Sequence, residues 1–303
     1  MRILHICAGW QRTNGAAVIA RLIADEQRAH GEEVRFATWA SVHELRAADI
    51  VWVHCGWLPC LWWAALFAKR LIRMPEACYD PVRLAYHGWK KRLVGPIERF
   101  FLRRAAKVLA TCAAEKEWIL AYEPRAKAEV VDLKRFFGLE VAKVSQGGSR
   151  SSGASAEYRA SFARASAPST PCTQAQRLHL LYLGRRHPLK GVEYLEKAVE
   201  EIRRKHGVEL RIVSHAVGEE LEKVWEWCDV LALPTLSENF GLVVAEALER
   251  GKRVVTTDGA PAWEGQPGVV YLRGYREGSE EKRVELLKNG LECLDGIDPI
   301  GQF

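Results

Sequence analysis

The chain has 303 residues, enough for about two domains at roughly 150 residues each. It is 48% hydrophobic and 27% charged, which excludes a disordered chain, a fibre and a small disulfide-stapled scaffold. The formal charge is +6, but residues 1–143 carry a net +8 and residues 176–303 a net −4. The basic half also holds eight of the eleven tryptophans. A basic, tryptophan-rich half points to an anionic partner: a membrane surface, a phosphorylated glycan or nucleic acid.

In chain order, Ile3–Cys7 reads as a buried strand and the spacing of Val18, Ile19, Leu22 and Ile23 as a helix. Residues 34–38 and 49–54 read as two further strands, followed by apolar helical patterns over 57–73 and 89–105. Strands at 107–111 and 128–132 close this half. Residues 145–177 are rich in Ser, Gly and Pro and read as a linker between a domain at 1–144 and another at 178–303. In the second half, strands are expected at 179–183, 208–213, 229–233, 253–257 and 269–272, and helices near 190–205, 217–226, 240–250 and 279–293. Alternation of this kind predicts an α/β protein of two Rossmann-like β/α/β domains, facing each other across a ligand-binding cleft.

The longest charge-free apolar run, 56–68, is shorter than the roughly 18 residues of a membrane span. No signal-peptide pattern follows Met1-Arg2, so a cytoplasmic protein is expected. The eight cysteines are scattered without a Cys-x-x-Cys pair, which predicts reduced core cysteines and no metal site.

Two stretches carry chemistry. In Pro234-Thr235-Leu236-Ser237-Glu238-Asn239-Phe240-Gly241 a strand runs into a loop, with a helix expected to start near Asn239 or Phe240. Glu246 then lies about two turns inside that helix, and the exposed amides of Phe240 and Gly241 lie between the two carboxylates. A helix start attracts phosphate, and carboxylates on either side of it suit polyol hydroxyls. A capping glutamate and an ordinary surface glutamate would give the same spacing. In Gly184-Arg185-Arg186-His187-Pro188-Leu189-Lys190-Gly191, Arg185 and Lys190 project from the end of a strand, where α/β folds bind ligands. A fork and a point charge there suit a phosphate, although a solvated basic loop reads alike.

Together, Gly-Arg-x4-Lys-Gly and Glu-x7-Glu, about 50 residues apart, resemble the retaining, nucleotide-sugar-dependent glycosyltransferases of the GT-B fold. Asn14-Gly15-Ala16-Ala17 after the first strand is similar to the family's donor-facing glycine turn, and Ala47–His54 to its third-strand phrase. The phrases Asp80-Pro81, Trp89–Leu93 and Leu102–Ala106 look like branches that build bacterial surface polysaccharide or lipopolysaccharide. The resemblance implies that Arg185 and Lys190 neutralise the departing diphosphate and that Glu246 holds the ribose. It implies that Glu238 meets the donor sugar, helped by the amides of Asn239, Phe240 and Gly241, with Gly15 and Ala16 near the phosphates. Glu238, Arg185 and Lys190 would thus be the catalytic set. No metal and no other cofactor is implied, and no Asp-x-Asp triplet occurs.

Two departures stand out. Where relatives carry a histidine near the donor sugar, Met74-Pro75-Glu76-Ala77 places Glu76. Glu76 and His87 are therefore the acceptor-side candidates, with His54 as another stand-in. The stretch 213–229 also lacks a β-α unit common in the family, which leaves the donor base open.

Basic residues crowd 60–108: Lys69, Arg70, Arg73, Arg83, Lys90, Lys91, Arg92, Arg99, Arg103, Arg104 and Lys107. Among them stand Trp62, Trp63, Phe67, Trp89, Phe100, Phe101 and Leu102. The pattern suits peripheral attachment to an anionic inner membrane face, or a solvated charged surface. No nucleic-acid recognition motif accompanies it.

The expected activity is sugar transfer from a nucleotide sugar to a glycan or lipid-linked acceptor. A nucleotide-sugar epimerase or hydrolase of the same fold stays open. So does a catalytically silent relative serving as a scaffold in a glycan-biosynthesis complex.

Overall fold

The computed structural model describes residues 1–11, 15–86, 88–139 and 177–295. The described residues fall into two compact units, one of residues 1–136 and one of 137–139 with 177–295. The expected linker and His87 lie outside the described residues, apart from the linker's last position, 177.

The first unit is built on six parallel strands: β1 (Arg2–Ile6), β2 (Glu33–Ala37), β3 (Ile50–His54), β4 (Leu71–Met74), β5 (Lys107–Ala110) and β6 (Ala128–Val130). Their order is β2-β1-β3-β4-β5-β6. β4 is buried throughout and only β3's middle residue is half-exposed, as expected of central parallel strands covered on both faces. The core joins Leu4, Ile6, Val51, Val53, Leu71 and Val108 from the sheet with Leu61 and Leu102 from the helices. Burial of each such side chain contributes about 1.5–3 kcal/mol.

The expected helical run over 57–73 is corrected. It is a helix at Pro59–Phe67 followed by strand β4. Apart from Lys69, Arg70 and Arg73 the 17-residue stretch is largely apolar, so periodicity alone does not separate a buried helix from a buried strand. Pro59 in the first turn sets the helix start. The pair Lys69-Arg70, exposed between the two elements, marks the break.

The second unit has five parallel strands: β7 (His179–Leu183), β8 (Glu209–Val213), β9 (Val230–Leu233), β10 (Arg253–Thr257) and β11 (Val269–Leu272). Their order is β8-β7-β9-β10-β11, so one helix, Glu219–Trp227, bridges β8 and β9. In each sheet the chain reverses its winding beside the first strand, between β1 and β3 and between β7 and β9. Open α/β sheets bind ligands outside the carboxyl ends of their strands at such a switch point.

Candidate functional site

At the switch point of the second sheet, the loops after β7, β9 and β10 are laced together by backbone. The Leu236 N–H and the Thr235 hydroxyl both donate to the Leu189 carbonyl, at 2.9 and 3.1 Å. The Glu238 N–H donates to the Gly259 carbonyl at 2.8 Å. The Thr257 hydroxyl donates to the Thr235 carbonyl. Two glycines permit this closeness. A Cβ on Gly191, which sits at φ 62°, would come within 2.2 Å of the Pro234 oxygen, and one on Gly259 within 2.0 Å of the Thr235 oxygen. Gly259, Thr235 and Thr257 escaped the sequence reading; a glycine turn straight after a buried strand was the available signal.

This frame brings Lys190 and Glu238 together as an ion pair, with side chains 19% and 16% exposed. Glu238 also accepts from the Asn239 N–H at 3.1 Å. Arg185 is exposed just after β7; its carbonyl accepts from the Tyr182 hydroxyl at 2.9 Å, which fixes the loop's path. Arg186 instead forms an exposed pair with Glu196 at 2.6 Å.

The helix after Glu238 begins later than expected, at Leu242. Gly241 sits in the left-handed region (φ 73°, ψ 63°) and turns the chain into it. Glu246 is therefore one turn inside the helix, not two. The Phe240 ring is buried against Trp263, whose indole N–H donates to the Phe240 carbonyl, so Phe240 can offer a ligand only backbone. Burial raises the Glu246 carboxyl above the ordinary glutamate range, and Arg250 one turn on opposes the shift.

The first unit holds the remaining candidates. Gly15 is exposed at the first position of the helix Gly15–Ala29, and Ala16 follows half-buried. Glu76 is buried, two residues beyond β4, and meets His54 and Cys55 rather than solvent. His54 is also fully buried.

The basic cluster is corrected in part. Arg73 is buried and paired with buried Glu98 at 2.9 Å, while Phe101 and Leu102 belong to the core. Trp62, Trp63 and Phe67 are half-buried against that core. The exposed remainder lies mainly on the helix Gly88–Arg104, where Trp89, Leu93, Ile97 and Phe100 follow helical spacing and are 68, 76, 43 and 48% exposed. Among the described residues no three His, Cys, Asp or Glu side chains are placed to hold a metal, and no helix is long and apolar enough to cross a membrane.

A family profile described as glycosyl transferase 4-like domain matches residues 36–133. A second, glycosyl transferases group 1, matches residues 177–289. An uncharacterised glycosyltransferase of Methanocaldococcus jannaschii is 30% identical over 103 residues, 26% of this chain. The match spans about a quarter of that protein's length. Among solved structures, a sucrose-phosphate synthase of Thermosynechococcus elongatus superposes at TM-score 0.67 with 13% identity, over 99% of this chain and 90% of that one. Anabaena HepE in complex with UDP-glucose superposes at 0.61 with 15% identity, over 97% and 91%. WaaG, a glycosyltransferase involved in lipopolysaccharide biosynthesis, superposes at 0.54 with 13% identity, over 96% and 90%. The two profile matches together take in more than half of the 303 residues, and each of these structures superposes over more than nine-tenths of the chain: the chain belongs to the glycosyltransferases of the GT-B fold.

Proposed function

We propose that this protein transfers a sugar, with retention, from a nucleoside-diphosphate sugar to a glycan or lipid-linked acceptor. The observation that carries the reading is the switch-point frame of the second sheet, which presents Arg185, Lys190 and Glu238 on loops held by backbone hydrogen bonds. Negative charge accumulates on the departing diphosphate, so cations fixed beside it lower the barrier and not only the dissociation constant. Arg185 and Lys190 take that role, Glu238 meets donor-sugar hydroxyls, and Glu246 meets the ribose. The amides of Asn239, Phe240 and Gly241 line the same loop. The cationic side chains supply the charge that a divalent metal supplies elsewhere, so turnover is expected to survive a chelator.

The test is a thermal-shift screen against nucleoside diphosphates and nucleotide sugars, followed by a transfer assay with the stabilising donor. A donor at a hundred times its dissociation constant stabilises by about 2.7 kcal/mol. Stabilisation by no nucleotide, or binding without transfer or hydrolysis, would leave the scaffold reading in place.

For the acceptor side, the exposed Trp89, Leu93, Ile97 and Phe100 stripe, flanked by exposed Lys90, Arg92, Arg99 and Arg103, supports peripheral docking on an anionic bilayer. A lipid-linked acceptor would then be met at the membrane face. The full chain should sediment with anionic vesicles, less so at high salt, and Trp89→Ser with Leu93→Ser should abolish sedimentation while sparing donor binding. Sedimentation that ignores both salt and these substitutions would refute the docking face.

A further inference from the structure

A chain of buried polar groups crosses the carboxyl edge of the first sheet. His5 Nε2 lies 2.8 Å from Gln27 Oε1, and His5 Nδ1 lies 3.0 Å from His54 Nε2. His54 Nδ1 lies 3.2 Å from Glu76 Oε1, and the Cys55 thiol donates to Glu76 Oε2 at 3.4 Å. Both histidines are fully buried and stacked on one another and on Trp52, and Glu76 is 4% exposed.

The order of protons along this chain follows from what each atom can do. With the Gln27 amide set so that its oxygen faces the ring, as it stands here, His5 Nε2 carries the hydrogen. A neutral His5 then offers Nδ1 as an acceptor, so His54 Nε2 carries a hydrogen. A neutral His54 in turn offers Nδ1 as an acceptor, and the hydrogen of that last contact must come from Glu76. Burial agrees: it holds both imidazoles neutral, lowered to about 3, and raises the Glu76 carboxyl to about 8.

The chain ends where the backbone is strained. Cys55, Trp57, Glu76 and Ala77 all occupy the left-handed region, with φ of 64, 66, 57 and 59°. Each such non-glycine residue costs on the order of 1–3 kcal/mol and persists only when its surroundings hold it; such residues cluster at functional sites. Two further buried carboxylates pin the same loops. Glu98 accepts from the Trp57 N–H, and Glu115 accepts from the Ala77 N–H. Both loops open at the carboxyl ends of β3 and β4, beside the sheet's switch point.

We propose that Gln27, His5 and His54 form a proton-ordering relay that keeps Glu76 in its acid form, and that Glu76 in that form is a positioning residue holding the Cys55–Trp57 and Glu76–Ala77 loops for the acceptor. The acceptor clause rests on the glycosyl-transfer reading; the relay itself does not. When Glu76 loses its proton, His54 Nδ1 must become the donor and His5 must shift its hydrogen to Nδ1. His5 Nε2 then faces the Gln27 oxygen with no hydrogen between them, and the loops must be held by a buried carboxylate that accepts from His54 in place of an acid that donates to it, a charge that burial disfavours. The other titratable groups around Glu76 are the thiols of Cys7, Cys55 and Cys78, Arg83, and Glu115. Arg83 favours the ionised form of Glu76 and Glu115 opposes it.

The test is nitrogen-15 NMR of the histidine rings in the full chain from pH 5.5 to 9. His5 and His54 should both carry hydrogen on Nε2 up to neutral pH and switch together to Nδ1 on the alkaline side. In Glu76→Gln the amide donates to His54 and cannot ionise, so the switch should vanish. In Gln27→Met the anchor is gone while Glu76 remains, so the switch should move to lower pH by half a unit or more. A His54 Nδ1 hydrogen at pH 6.5 in the wild type, or a switch that persists in Glu76→Gln, overturns the relay. If Glu76→Gln does not fold, an unmoved switch in Gln27→Met overturns it instead. In transfer assays with the donor found above, the acceptor KM should rise on the alkaline side in the wild type and stay flat in Glu76→Gln, while the donor KM follows neither. A flat wild-type profile with an intact tautomer switch refutes the positioning role alone, and absence of transfer refutes the glycosyl-transfer reading without touching the NMR result.

Discussion

Lys190 is paired with Glu238, so on the proposed reading a donor diphosphate has to compete with that carboxylate for the lysine. Glu238→Gln removes that competition while keeping the shape of the side chain and an acceptor for the Asn239 N–H. Two unit charges about 4 Å apart interact by about 4 kcal/mol at an effective dielectric of 20. Part of this is offset by the freedom that the lysine loses, and a hydrogen bond to a charged group is worth about 1.5–3 kcal/mol net. Taking the low end and about 1.4 kcal/mol per decade, a nucleoside diphosphate without its sugar should bind about tenfold more tightly to Glu238→Gln. Calorimetric titration with the diphosphate that scores best in the thermal-shift screen measures this directly. Turnover should fall in the same variant, because donor hydroxyls lose their carboxylate. Equal or weaker diphosphate binding would mean that Lys190 is not held back by Glu238, and the electrostatic account of the site would fail.

Arg185→Ala should lower turnover on the order of 10²-fold and weaken diphosphate binding by about 1.5–3 kcal/mol, as steady-state kinetics and titration can check. Arg73→Met leaves Glu98 as an unpaired buried carboxylate and should cost about 3–5 kcal/mol in urea unfolding. The His5, His54 and Glu76 cluster also fixes a pH optimum for stability. From about pH 6.5 down to 4.5 the unfolded chain gains two imidazole protons that the native state refuses, while the native state keeps one on Glu76, so stability falls with acid by about 1.4 kcal/mol per pH unit. From about 6.5 to 8 only the native state holds its extra proton, on Glu76, and stability falls as pH rises; urea midpoints across pH 5 to 8 should therefore peak near 6.5.

The sequence by itself determined the strand-and-helix alternation, because buried parallel strands are continuous apolar runs and amphipathic helices repeat every 3.6 residues. Both patterns are local and survive in the order of letters, and β7, β10 and β11 stand where the letters put them. The candidate residues Arg185, Lys190, Glu238 and Glu246 could be singled out for the same reason: each stands at a short spacing from a strand end. The helical reading of 57–73 failed because the apolar residues on both sides of Lys69-Arg70 show no clear period, and only pairing with β3 and β5 decides that Leu71–Met74 extends. Arg73 counted as surface charge in the sequence, and only packing showed that it is the buried partner of Glu98, 25 residues away. The start of the helix at Leu242 depended on one left-handed glycine, a dihedral that no residue type specifies alone. The His5–His54–Glu76 relay was least visible. His5 and His54 lie on β1 and β3 and Glu76 just past the end of β4, separated by 49 and 22 positions, so only the parallel register that lays β1 beside β3 and β3 beside β4 brings them within hydrogen-bond reach.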